Sequence, residues 1–390
     1  MKKKKLLIVA NHLTIGGAQK SLLAALKVID YDKFDVTLYL RKNRTDLLSF
    51  VEERVNVIIN DDKHHYYRKP YAVLLQSLIA FYNIFGKKKS AEKSNKKLSD
   101  YITKSQMEYE KKRFFSSGKY DIAIAYVQGH TALFVAEYVR ADEKNVFFHT
   151  STDDMHDLHE RILIGFEKIL VEHDSQKALL EEWYPDHRNK ICIIENYVDQ
   201  DMLFQQSKEK NIEIPSEKTV LCYCGRFAKV KGFDLAVETA KILKENGISF
   251  IWYFVGDGPE RANIEHLIEK YSLQEELSIT GMQKNPYPYI NACDIYVQCS
   301  YEENTGITIL EAHRLNKPVV STKTLGGTKL IDDFKNGLLS ETNAGSLADN
   351  VMKLINDNQL MIDITDNLKS KTYNNEFNKH KEEWKKVLEE

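Results

Sequence analysis

Short apolar runs recur along the chain, each followed by a stretch with helical spacing, and this alternation restricts the fold to parallel sheets covered by helices. The first run is Leu6–Ala10; a Gly16-Gly17 turn and a helix from Ala18 to Val28 follow. Further strands are expected at Val36–Leu40, Val55–Ile59, Ile122–Tyr126, Val146–Phe148 and Ile191–Ile194. The pattern then restarts, with strands at Val220–Cys224, Phe250–Val255, Leu277–Thr280, Ile295–Gln298 and Pro318–Ser321. Between the two series, Asp199 to Glu217 is polar and lacks a sheet pattern. Two series imply two doubly wound domains, over 1–198 and 218–365. A linker at 199–217 joins them, and a closing helix at 366–390 is a candidate to cross back to the first.

Composition narrows the class. The 390 residues suit two domains of ordinary size, and 43% hydrophobic with 29% charged residues is a globular balance. Five scattered cysteines are too few for a disulfide framework and fit reduced, cytosolic thiols. Cys222 and Cys224 are read as facing opposite sides of their strand, which argues against a redox pair. No run reaches the ~20 apolar residues of a membrane-spanning helix. The start MKKKKLLIVA imitates a signal peptide, but its apolar part, Leu6–Ala10, is short enough to be a buried first strand.

Net charge is −2, so the whole chain is neither a polyanion binder nor an acidic tail. The charge is uneven, with 32 basic against 27 acidic side chains in residues 1–198 and 23 against 30 in 199–390. Residues 64–86 are aromatic and apolar, and residues 87–119 carry eleven Lys/Arg against four Asp/Glu. One reading of 64–119 is a solvated helical excursion. The other is a membrane-surface element, with apolar groups in the interface and lysines on anionic lipid. The segment has no nucleic-acid fold signature.

Three constellations carry chemistry. In CSYEENTGITILEAHRLNKPVV, residues 299–320, Glu303 precedes a helix expected from Gly306 to Leu315 and Glu311 lies within it. The rise from Gly306 to Glu311 is roughly 7 Å. Amide groups at Gly306, Ile307 and Thr308 open the helix, and such an end suits a phosphate. A central diphosphate with a sugar on each side fits this layout, and an ordinary amphipathic helix fits it as well. In CGRFAKVKGFD, residues 224–234, a strand ends in a glycine turn and Arg226, Lys229 and Lys231 gather before a helix. Cations at a strand end can neutralise a diphosphate. In ANHLTIGGAQKS, Gly16 and Gly17 allow a close backbone approach, without the dinucleotide or phosphate-loop fingerprint.

Together these segments resemble the retaining glycosyltransferases of family 4, which have the GT-B fold. The strand-GR-KG pattern is met by Gly225, Arg226, Lys231 and Gly232. The E-x7-E element is met by Glu303, Gly306, Leu310, Glu311 and Ala312. A GDGP turn stands at Gly256–Pro259 and an NGLL turn at Asn336–Leu339. The resemblance implies an α/β, GT-B chain of two Rossmann-like domains facing an interdomain cleft, the first binding acceptor and the second nucleotide-sugar. It implies that Arg226 and Lys231 bind the donor diphosphate with the amides of Ile307 and Thr308. Glu311 would hold the ribose, Glu303 the donor sugar, and Gly17 would pack near the diphosphate. His149 resembles the family's histidine on the acceptor side, and His12 is a weaker candidate.

The implied activity is a retaining, metal-independent hexosyl transfer from a nucleotide-sugar to a lipid-linked or cell-surface glycan. It would take place at the cytosolic membrane face, with no cofactor beyond the donor. UDP follows the family majority; GDP and ADP stay open. The family's EGFG is here Glu303-Asn304-Thr305-Gly306, and its proline-glutamate after the GG turn near 326 is Thr328-Lys329, so the donor sugar is not named. A sugar-nucleotide epimerase and a non-catalytic sugar-nucleotide or glycan-binding partner are the competing readings. Asp30-Tyr31-Asp32 and Asp199-Gln200-Asp201 spell a metal motif of another fold and are discounted, as are His156 and His159, which complete no zinc spacing.

Overall fold

The computed structural model describes residues 2–60, 70–84, 88–115, 118–149, 163–198, 200–213, 215, 217–371 and 374–390. The apolar runs pair in parallel into two sheets. The first contains β1 (Lys4–Ala10), β2 (Phe34–Leu40), β3 (Asn56–Ile59), β4 (Tyr120–Ala125), β5 (Ala141–Phe147), β6 (Lys168–Val171) and β7 (Ile191–Ile193). The second contains β8 (Thr219–Cys224), β9 (Phe250–Val255), β10 (Leu277–Gly281), β11 (Ile295–Gln298), β12 (Val319–Thr322) and β13 (Gly337–Ser340). The strand orders are β3-β2-β1-β4-β5-β6-β7 and β10-β9-β8-β11-β12-β13. Each sheet is thus laid out on both sides of its first strand, and reverses between β1 and β4 or between β8 and β11. Helices cover both faces of such sheets, so central strands read as unbroken apolar runs rather than as alternation. Leu6–Val9 and Leu221–Tyr223 accordingly have no exposed surface.

Two strands were not expected. β6 lies at the end of ILIGFEKILV, an apolar run that reads equally well as helix, and β13 follows directly on Asn336, where a turn was expected. Both contain only four residues, too few to show a period. The chain divides into Met1–Glu195 with Lys381–Glu390, and Asn196–His380. The stretch read as linker contains the helix Gln200–Ser207, whose Leu203 is buried in the core of the second unit. Cys222 and Cys224 correct the sequence reading. Residues two apart in a strand share a face, and their Sγ atoms lie 3.6 Å apart. Both are buried, and burial foremost pushes the Cys222 thiol well up.

The aromatic-basic excursion contains the helices Pro70–Ile84 and Lys88–Phe114. Ala72, Leu75 and Leu98 join them. The long helix is fixed to the first sheet by a buried ion pair: Arg41, just past β2, donates through Nε to Glu110 Oε2 at 2.9 Å. Gln106 donates to the other Glu110 oxygen at 2.7 Å. Residues 64–69 and 85–87, His156, His159 and Asp199 lie outside the described residues. Among those described, no helix is long and apolar enough to cross a membrane.

His313 sets a pH dependence for the second unit. It is buried in the helix Ile307–Arg314, and burial, then Lys371 and Arg314, lower its ring to about 3. The folded chain keeps it neutral where an unfolded one takes a proton below about pH 6.5. Its contribution is complete above that pH and is lost as pH falls toward 3. Denaturant melts should show wild type losing about 2 kcal/mol more than His313→Gln between pH 6.5 and 5. Parallel losses would remove His313 as the cause.

Candidate functional site

In open α/β sheets, ligands bind beyond the carboxyl ends of the strands, where the strand order reverses. In the second unit that place is the adjacent ends of β8 and β11. β8 runs into Gly225-Arg226, and β11 runs into the loop ending at Gly306. Two backbone approaches fix these loops. Gly232, at φ 61°, lies where a Cβ would come within 2.1 Å of the Cys299 carbonyl oxygen. Tyr301 donates its amide to the Val230 carbonyl at 2.9 Å. Buried Tyr223 adds a bridge, donating to the Lys231 carbonyl at 2.5 Å with Ser300 Oγ 3.0 Å away.

The predicted cation and carboxylate meet here. Lys231 Nζ lies 2.6 Å from Glu303 Oε2. A single buried amide organises the rest. Gln298 Nε2 donates to Glu303 Oε2 at 3.0 Å and to Ser300 Oγ at 2.9 Å. Its Oε1 accepts from Thr308 Oγ1 at 3.1 Å and from Tyr296 OH at 3.3 Å. Both amide protons of Gln298 are therefore used, and the one Tyr296 proton is shared between Oε1 and the Cys224 carbonyl, also at 3.3 Å.

The helix begins at Ile307 with Gly306 as its N-cap at φ 67° and no side-chain cap. The three open amides expected from the sequence become two. Gly306 N points at Glu303 Oε1 at 3.4 Å, a long contact, while the amides of Ile307 and Thr308 find no acceptor among the described residues. They carry the positive end of the helix dipole. Glu311 lies within the helix, 1% exposed, and accepts from Tyr287 OH at 3.0 Å. Burial, then Glu311, pushes that phenol well above its ordinary value, so it remains a donor. Arg226 is exposed at the turn after β8 and its guanidinium makes no hydrogen bond or ion pair among the described residues. The segments that carry the two departures from the family pattern meet: Gly326 donates its amide to the Glu303 carbonyl at 2.8 Å.

Gly16, Gly17 and His149 belong to the first unit, at the carboxyl edge of its sheet. Gly16 caps the helix Gly17–Val28, and a Cβ there would meet Gln19 Oε1 at 2.5 Å. His149 follows β5, and its Nδ1 lies 2.7 Å from Glu172 Oε1. His12 stays beside Thr14, with Nδ1 3.0 Å from the hydroxyl; burial, then Lys42 and Arg44, lower its ring. Gln298, Tyr287, Tyr223 and Glu172 were not found from the sequence. Gln298 carried one signal, a polar residue closing the apolar run IYVQ.

The whole chain superposes on HepE of Anabaena, solved in complex with UDP and glucose, with a TM-score of 0.70, 16% identity and 99% of both chains covered. This is the GT-B fold. Within the GT-B chain, residues 204–371 match the family model for group 1 glycosyl transferases. The lipopolysaccharide core biosynthesis glycosyltransferase LpsE of Rhizobium meliloti (strain 1021) is 29% identical over 174 residues, 44% of this chain and 50% of that protein. The alpha-D-kanosaminyltransferase of Streptomyces kanamyceticus is 28% identical over 177 residues, 45% and 46% respectively. The chain spans about half the length of the curated relatives it matches.

If Gln298 holds this site together, removing its amide leaves Thr308, Ser300 and Glu303 short of partners. Gln298→Met should lower the unfolding free energy by about 1–3 kcal/mol, the cost of one group left unmatched, because Ser300 keeps Tyr223 and Glu303 keeps Lys231. Chemical denaturation measures it, and a loss below about 0.5 kcal/mol, the size of an ordinary surface change, would contradict the role.

Proposed function

We propose that the chain is a retaining, metal-independent glycosyltransferase. It moves a hexosyl group from a nucleotide-sugar, UDP-linked in the first instance, to a lipid-linked or cell-surface glycan. The observation that carries this is the meeting of Lys231, Glu303 and the uncapped start of the helix Ile307–Arg314 at the switch point of the second sheet. Arg226, with no partner for its guanidinium among the described residues, stands on the neighbouring loop. The family match over the same segment supports the reading, as does the UDP held by HepE. The envelope glycan rests on relatives such as LpsE.

The residues divide the work by charge. Arg226, Lys231 and the amides of Ile307 and Thr308 bind the diphosphate. Glu311, held by Tyr287, takes the ribose hydroxyls, and Glu303 those of the donor sugar. As the bond from the anomeric carbon to the phosphate oxygen breaks, positive charge spreads over the sugar ring and negative charge gathers on the leaving diphosphate. Positive groups fixed there before the reaction lower the barrier, because the charge they meet is largest in the transition state. The acceptor oxygen bonds to the anomeric carbon on the face the diphosphate leaves. Its proton passes to the departing phosphate oxygen, and configuration is retained. Lys231 is shared: the diphosphate draws on the ammonium that otherwise pairs with Glu303.

Calorimetric titration with UDP tests the donor site. Arg226→Ala and Glu311→Gln should each weaken binding by roughly ten- to a hundredfold, the range for a hydrogen bond to a charged group. Unchanged affinity in both would overturn the assignment.

The excursion in the first unit supports work at the cytosolic membrane face. Tyr71, Val73, Leu74 and Phe81 are 46–54% exposed on the helix Pro70–Ile84, and Lys88, Lys93 and Lys97 are exposed on the helix that follows. This is the pattern of apolar insertion beside a cationic face. Changing those three lysines to glutamate should weaken binding to phosphatidylglycerol vesicles by at least about a hundredfold, at ~1 kcal/mol per lysine. Equal sedimentation of both proteins with the vesicles would retire the membrane placement.

A further inference from the structure

The carboxyl edge of the first sheet carries a buried pair that the donor site does not use. β5 and β6 pair in parallel with Phe147 against Leu170, an offset of 23 residues. The same offset sets His149 against Glu172 just beyond the ladder. His149 Nδ1 and Glu172 Oε1 are 2.7 Å apart, and the side chains are 9% and 4% exposed. Gln176 locks the two strand ends, accepting from the Glu172 amide at 2.9 Å and donating to the Phe148 carbonyl at 2.9 Å. The imidazole stacks on Phe147 with ring centres 4.4 Å apart and planes 1° from parallel. Tyr126, just past β4, has its ring centre 5.2 Å from the imidazole and meets Ser21 Oγ through its hydroxyl at 3.1 Å. Ser21 belongs to the helix that follows the Gly16-Gly17 turn. The ring is thus held by the carboxylate at Nδ1 and by two aromatic neighbours.

An ionised carboxylate only accepts, so the proton between the pair sits on His149 Nδ1. In the neutral ring this leaves Nε2 as an acceptor. Nε2 is buried and has no hydrogen-bond partner among the described residues. A buried acceptor costs free energy until it meets a donor, and the edge where it lies is where ligands meet such sheets. We propose that Glu172 is a positioning residue that holds His149 in the Nδ1–H tautomer, so that Nε2 receives a hydrogen bond from a hydroxyl of the glycan acceptor. This rests on the transferase reading for the identity of the ligand, and on geometry alone for the tautomer.

The two parts are tested separately. In protein labelled with nitrogen-15 at histidine, at a pH where the neutral ring dominates, His149 should show a protonated Nδ1 and an unprotonated Nε2. The reverse assignment in wild type overturns the proposal without any variant. Glu172→Gln, whose amide can itself donate to Nδ1, should move the ring toward the Nε2–H form. It should also lower kcat for transfer on the order of tenfold or more, and Glu172→Asp should recover part of that loss. UDP affinity should stay at the wild-type value in both variants. An unchanged tautomer or an unchanged kcat in Glu172→Gln would overturn the role. Failure of the wild type to bind UDP, GDP or ADP would overturn the transferase reading and leave the tautomer result to stand alone.

Discussion

One buried amide holds the candidate donor site in shape. Gln298 closes β11 at the point where the second sheet reverses, and its four hydrogen bonds go to four different side chains. Two of these, Glu303 and Thr308, belong to the loop and helix that would meet a diphosphate. A carboxylate held at both Lys231 and Gln298 cannot rotate without breaking two contacts. The start of the helix cannot shift without losing the Thr308 bond. The site is therefore organised before any ligand arrives, the condition under which fixed charge accelerates a reaction.

The same economy appears at the other sheet. His149 and Glu172 are neighbours because two parallel strands run in register, and stacking on Phe147 supplies the orientation. In each unit a buried polar residue at a strand end fixes a candidate site residue: Gln298 holds Glu303, and Glu172 holds His149. The glycines serve close backbone approaches. At Gly232 any side chain would strike the Cys299 carbonyl, which keeps the lysine loop against the glutamate loop.

How much of this could be read in advance depends on range. Most strands were legible because a strand buried on both faces must be a continuous apolar run. The exceptions, β6 and β13, are four residues long, and one abuts a turn signal. The cationic loop and the paired glutamates were legible because their spacing is local. Tyr287, Tyr223 and Glu172 were not, because each acts on a residue 24, 8 or 23 positions away through a contact made only by folding. The misreading of Cys222 and Cys224 was a matter of parity, since a strand returns to the same face every second residue.

The order of apolar runs, turns and charges by itself determined that this chain builds two parallel sheets, and it marked the loops that carry Arg226, Lys231 and Glu303 and the helix that carries Glu311. Tertiary structure decided which of these groups are tied to one another. It joined Lys231 to Glu303, withdrew the Gly306 amide toward Glu303, left Arg226 without a partner among the described residues and set Glu172 behind His149. The physical reason is that a hydrogen bond depends on a few tenths of an ångström and on angle. Local spacing fixes the residues near one strand end, and only the packing of neighbouring strands and helices sets distances of that size.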